Sequence, residues 1–274
     1  MNENEQNGPL LPSGETEDNF VLKELKVEYT KVEDIISSNA AYLSKKDKFD
    51  IFKFSLKVNS VHDYQWEVYR KPSEVKKNFA DIQRELSANN MGPTGEKASF
   101  FSRVASWSDD SLPSHIADIE NYYSALLQDP QIYKSISLKE FFNISVESFD
   151  KNNNGKKPFE GRIKKKVDPQ CLRTVFSYFC KCIEYFFFPQ YNERWFVLKD
   201  DRIYYMDESN SKIRKNVYIF DKNSEVRKEG NDWIYIITSY RGLILKFKTT
   251  FEREIWYMEI MKRVNAFKNP SNNI

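Results

Sequence analysis

The sequence predicts an α+β protein in two parts: a small antiparallel sheet with helices, then a small antiparallel barrel or sandwich followed by a C-terminal helix. Three observations carry this. Strand-like runs crowd the region before residue 70 and again after residue 158, with helical spacing between them. A polar stretch, Asp150–Lys157 (DKNNNGKK), separates the halves. The last periodic segment, Thr250–Phe267, places Trp256, Ile260, Val264 and Phe267 along one helical face.

The length of 274 residues suits two ordinary domains. Residues 1–23 are polar and read as disordered. In the region 24–149, Phe49–Asn59 carries Ile51, Phe54, Leu56 and Val58, and Tyr64–Tyr69 forms a second strand after a turn at Ser60–Asp63. Ser73–Leu86 reads as a helix capped by Ser73, with Val75, Phe79, Ile82 and Leu86 at helical spacing. Residues 87–114 read as a long loop holding Phe100, Phe101, Val104 and Trp107, a cluster suited either to a bilayer interface or to packing on its own domain. Helical spacing returns from Ser114 (Ile116, Ile119, Tyr123, Leu126, Leu127), and a short helix follows at Ser137–Phe142.

After a linker at 150–158, the span 159–268 reads as short aromatic or β-branched strands: Phe159–Lys166, Arg194–Lys199, Arg202–Met206, Asn216–Phe220, Trp233–Thr238 and Leu243–Lys248. An insert at 168–192 holds all three cysteines (Cys171, Cys180, Cys182) among many Phe and Tyr residues. Residues 269–274 read as a tail.

The net charge of +2 gives no global argument for nucleic acid or membrane, so electrostatic partners are read from local clusters. The acidic, polar N-terminus is unlike a signal peptide, and no apolar run reaches membrane-spanning length. Three cysteines argue against a disulfide framework. These features predict a cytoplasmic protein, peripheral on membranes.

Glu160-Gly161-Arg162-Ile163-Lys164-Lys165, Arg194-Trp195-Phe196-Val197-Leu198 and Trp256 together resemble the PH domain, over about 159–267. Trp66–Phe79 (WEVYRKPSEVKKNF), Ile119–Tyr123, Leu126-Leu127 and Leu138–Ser145 resemble the variant PX domain of phospholipase D. A PX-like domain running into a PH domain is similar to the regulatory region of that family. The resemblance implies a module that binds phosphoinositides or other anionic lipids. In the PH part it points to Lys164, Lys165, Lys166 and Arg194, with Asn192 where a basic residue is usual. In the PX-like part it points to Arg70, Lys71, Lys76 and Lys77, with Pro72 where the family's core carries Tyr. Phosphates need several such donors at one rim. A solvated, aggregation-deterring edge is the alternative for the lysine run.

Phospholipase D chemistry needs His-x-Lys-x-x-x-x-Asp twice. The two histidines, His62 and His115, have Tyr64 and Ala117 two positions on, so neither motif is present and no catalytic residue is expected. No metal or other cofactor is expected either. The cysteines, beside aromatics, are candidates for S-palmitoylation or for inert burial. Three functions therefore stand: a non-catalytic lipid-targeting module; a truncated phospholipase D whose downstream half hydrolyses phosphatidylcholine; and a protein-binding scaffold.

Overall fold

In the computed structural model the structure describes residues 20–36, 48–89, 100, 103–104, 106–130, 132–153, 156–166 and 191–268. Two compact units divide the chain. The described part of the first is drawn from residues 20–35, 49–160 and 209–214, and that of the second from residues 36, 48, 161–208 and 215–268.

The first unit is built on a three-stranded antiparallel sheet, β1 (Val21–Lys31), β2 (Asp50–Asn59) and β3 (Asp63–Arg70), in that order. Strand β2 is central. Its Phe52, Phe54, Leu56 and Val58 are buried, while Lys53 and Lys57 alternate onto the other face. There Lys53 pairs with Glu67 of β3 at 2.7 Å and Lys57 with Glu24 of β1 at 2.5 Å. Strand β1 starts at Val21, so ordered structure begins inside the stretch read as disordered. A register shift between Leu22 and Glu24 breaks its alternation.

A four-residue helix α1 (Val32–Ile35) follows β1, and α2 (Pro72–Ala88) follows β3. Helix α2 opens at Pro72, with Lys71 as its cap, and not at Ser73. The fixed φ of proline suits the first turn, and the Lys71 N–H donates to Glu74 Oε2 at 2.9 Å. Val75, Phe79, Ile82 and Leu86 are buried, as the spacing predicts. A 3-10 turn at Leu112–His115 leads into α3 (Ile116–Gln128), and α4 (Ile136–Phe141) follows. Tyr123 of α3 stacks on Phe141 at 4.9 Å and meets Phe54 edge-on at 5.6 Å. Its hydroxyl donates to Asn78 Oδ1 at 2.9 Å, so this polar group of the aromatic core is satisfied.

Of the two readings of the loop cluster, packing holds for Phe100, Val104 and Trp107, which are buried; Phe101 lies outside the described residues. Phe100 stacks on Tyr122 at 4.0 Å and Trp107 on His115 at 3.9 Å.

The polar stretch before residue 158 is not simply a solvated linker. The Lys157 side chain is buried and ion-paired with the buried Glu160 at 2.7 Å. Lys157 Nζ also donates to Asn143 O at 2.5 Å, and the Ser148 hydroxyl donates to Glu160. Burial pushes the Lys157 amine below its ordinary value, and the Glu160 charge opposes that shift.

The second unit is a seven-stranded antiparallel sheet and a closing helix. The strands are β4 (Phe159–Lys166), β5 (Tyr191–Leu198), β6 (Arg202–Met206), β7 (Lys215–Ile219), β8 (Glu225–Glu229), β9 (Trp233–Ile237) and β10 (Gly242–Lys246), and the helix is α5 (Thr250–Lys268). The order is β7-β6-β5-β4-β10-β9-β8, so β4 joins a four-stranded half to a three-stranded half. Strand β8 (EVRKE) is an addition to the expected set; it is an exposed, charged edge with no apolar run.

On α5, Trp256, Ile260 and Val264 are buried as the periodicity predicts, but Phe267 is 39% exposed at the last turn. The same helix buries a charge cluster. Glu254 is fully buried and receives Arg253 Nη2 at 2.5 Å and Lys228 Nζ at 3.0 Å. Arg253 also donates to the Gly230 carbonyl, where Gly230 turns the β8–β9 hairpin at φ +57°. The helix is thereby tied to β8. Among the described residues no helix is long and apolar enough to cross a membrane.

Candidate anion-binding site

Alternation along β4 separates the three lysines. Successive side chains of a strand point to opposite faces. Lys165 lies on the face of Ile163, and its Nζ sits 5.4 Å from the centre of the Tyr205 ring. Lys164 and Lys166 take the other face with Arg162, which is ion-paired with Glu208 at 2.6 Å. Lys164 is the register partner of Lys246, whose Nζ lies 5.0 Å from both the Tyr191 and Trp233 rings.

Arg194 joins Lys165. It lies two residues before Phe196, which pairs with Tyr205 across the β5–β6 ladder. Its Nε stands 3.2 Å from Asp207 Oδ1, and Lys215 reaches Oδ2 of the same carboxylate at 2.5 Å. The Lys215 hydrogen bond, with the Lys215 and Arg194 charges, holds the Asp207 carboxyl below the ordinary aspartate value, against a smaller opposing effect of burial.

Asn216 completes the cluster. Its φ of +43° is a left-handed conformation that asparagine tolerates better than most residues. Its Nδ2 donates to the Tyr205 hydroxyl at 2.6 Å and its Oδ1 accepts from Arg241 Nη1 at 3.0 Å. Arg241 also donates to Val217 O at 3.0 Å and lies 4.9 Å over the Tyr218 ring. Four cations, Lys165, Arg194, Lys215 and Arg241, thus gather around Tyr205 at one end of the sheet, where β4 ends, β5 begins and the β9–β10 turn lies.

The sequence pointed to Lys165 and Arg194. It missed Lys215, Arg241, Tyr205, Asn216 and Asp207, which come from β6, the residue after it, β7 and a turn. Strand parity was the usable signal: Lys165, two residues after the apolar Ile163, shares its face, and its two neighbours do not.

In the first unit three of the four expected basic residues go to separate partners. Arg70 donates to the carbonyls of Tyr69 (2.9 Å), Glu140 (3.3 Å) and Phe141 (2.5 Å), and to Asn143 Oδ1 (2.7 Å). It satisfies the C-terminal end of α4. Lys71 Nζ lies 4.0 Å over the Phe49 ring. Lys76 is half-buried, and the exposed Lys77 faces Asp81 at 3.8 Å. No shared phosphate rim is formed by these four. Cys171, Cys180 and Cys182 lie outside the described residues.

The PH domain family model matches residues 173–265. This span takes in β5 to β10 and most of α5, while β4 lies before it and joins the same sheet. No curated protein matches the chain. Among solved structures, the N-terminal PH domain of human ARAP2 is similar at 17% identity, over 40% of this chain and 80% of that one, with a TM-score of 0.29. A structure described for the PH and C1 domains of the Vav1 exchange factor is similar at 14% identity, over 69% of this chain and 46% of that one, with a TM-score of 0.30. At these scores neither structure bears on function, and neither touches the PX or phospholipase D expectations. What the family match gives is plain: this chain contains a PH domain at residues 173–265.

Proposed function

We propose that the chain is a membrane-binding module whose PH domain receives a phosphorylated, anionic lipid headgroup at the cluster of Lys165, Arg194, Lys215 and Arg241. The observation that carries this reading is the convergence of four cations from three strands and a turn on one rim, where the Asp207 carboxylate engages two of them. Charge-assisted hydrogen bonds from several Lys and Arg donors are what a phosphate ester needs. Each basic residue near an anionic leaflet adds about 1 kcal/mol.

The test is vesicle sedimentation of the full chain. Lys165→Ala with Arg194→Ala is expected to weaken binding to phosphoinositide-containing vesicles strongly. Lys164→Ala with Lys166→Ala, on the opposite face, is expected to weaken it much less. Equal losses would reduce the site to diffuse surface charge. No binding of the wild type to any anionic vesicle would sink the lipid reading in favour of a protein-binding scaffold.

The finer reading, a phosphoinositide module related to the regulatory region of phospholipase D and without catalysis in this chain, rests on sequence resemblance. Its support is the Trp66–Phe79 motif, the order of the two halves and the lack of His-x-Lys. We place the headgroup in the PH domain because Arg70 of the first unit already bonds backbone carbonyls and Asn143.

A further inference from the structure

We infer that Tyr240 is an interfacial anchor that enters the headgroup layer of an anionic bilayer beside the basic cluster, an inference that rests on the lipid reading above. Tyr240 is 85% exposed, the most exposed of the large apolar side chains among the described residues. It stands at the tip of the β9–β10 turn, and that turn is fixed. The Thr238 N–H and hydroxyl both donate to Arg241 O at 3.0 Å. The Thr238 hydroxyl oxygen accepts from Tyr240 N at 3.4 Å and Arg241 N at 3.3 Å, and Asn223 Nδ2 donates to Ser239 Oγ at 3.3 Å. Thr238 itself is buried. An aromatic ring on so constrained a turn loses little backbone freedom on binding, which lowers the cost of association.

The neighbouring residue sets the partner. Arg241 leads from the tip into the cluster: it binds Asn216, Asn216 binds Tyr205, and the Tyr205 ring receives Lys165. An aromatic with a polar tip, next to a patch that attracts anionic lipid, matches the water–bilayer interface in both respects. Ile237, at the last position of β9 and 41% exposed, adds apolar surface at the start of the turn. The charge of the cluster favours a lipid surface over an apolar protein groove.

The experiment compares wild type, Tyr240→Ala and Tyr240→Trp in the full chain, on vesicles of phosphatidylcholine, phosphatidylserine and mixed phosphoinositides, and separately with soluble inositol hexakisphosphate. Tyr240→Ala is expected to lower vesicle partitioning about fivefold, the equivalent of ~1 kcal/mol, and to leave inositol hexakisphosphate binding unchanged. Tyr240→Trp is expected to keep partitioning, and its added tryptophan emission should be quenched by brominated lipid. Unchanged partitioning of Tyr240→Ala with the wild type bound would overturn the anchor alone and leave the tip to a protein partner. Loss of soluble-ligand binding in Tyr240→Ala would also overturn it, by making the residue part of the headgroup site. A wild type that binds no vesicle removes the lipid reading and the anchor with it.

Discussion

Arg194 and Asp207 face each other across the β5–β6 ladder, Nε to Oδ1 at 3.2 Å, and Lys215 holds the second carboxylate oxygen at 2.5 Å. One acid therefore engages two of the four cations offered to an anion. An incoming phosphate must compete with it.

Replacing Asp207 by Asn keeps the shape and removes the competing charge. The expected result is tighter binding to anionic vesicles, about threefold, together with a steeper salt dependence. Equilibrium sedimentation over a salt series measures both. Weaker binding would mean that Asp207 holds Arg194 and Lys215 in the pose the ligand needs.

Arg70→Ala should act on stability and not on lipid. Its guanidinium serves the Glu140 and Phe141 carbonyls and Asn143, so its loss strips the end of α4. A cost of about 2 kcal/mol is expected in urea unfolding, with vesicle binding unchanged. A loss of vesicle binding at full stability would restore the residue to a headgroup site.

Glu85 predicts an acid-sensitive step. Burial pushes its carboxyl up, but the N–H groups of Ser137 and Ile136 and the Ser135 hydroxyl outweigh that and hold it below the ordinary glutamate value. With a lowered folded-state pKa, the stabilisation is fully present above the unfolded value of 4.5 and is lost as pH falls through the lower folded value. Glu85→Gln should cost about 1 kcal/mol at neutral pH. The difference between variant and wild type should shrink below pH 4.5. A constant difference from pH 7 to pH 3 would exclude this linkage.

Glu254→Ala tests the buried cluster under α5. It leaves Arg253, only 4% exposed, without its carboxylate partner. The expected cost is about 3–5 kcal/mol. Hydrogen exchange should show β8 loosening together with α5, because Lys228 of β8 shares the same carboxylate.

The elements that the sequence exposed are those with strong apolar periodicity. Strand β2, with Phe54, Leu56 and Val58, helix α2, with Val75, Phe79 and Ile82, and the Trp256 face of α5 all bury the predicted side chains. Strands β1 and β8 were hidden for different reasons. Strand β8 is a sheet edge that carries charge in place of apolar alternation. Strand β1 does alternate at Leu25, Val27 and Tyr29, but a register shift between Leu22 and Glu24 breaks the pattern at its start. At the site, Lys165 and Arg194 stood in short motifs of their own strands. Lys215 and Arg241 did not, because their place beside Tyr205 depends on β6–β7 pairing and on a turn that only the folded sheet brings near. Charge alone does not distinguish a phosphate from the backbone carbonyls that Arg70 engages, so its bonds were not legible in the sequence.

The Lys157–Glu160 pair has a consequence for how this sequence can change over generations. Both side chains are sealed from water and each is the other's counter-charge. A single substitution takes a buried ion-pair partner from the survivor, whereas replacing both with apolar residues of similar size is far gentler. Descendants of this chain should therefore keep both or lose both, and a lineage showing one without the other should carry a compensating change at Ser148 or Asn143, the groups that share the bonds.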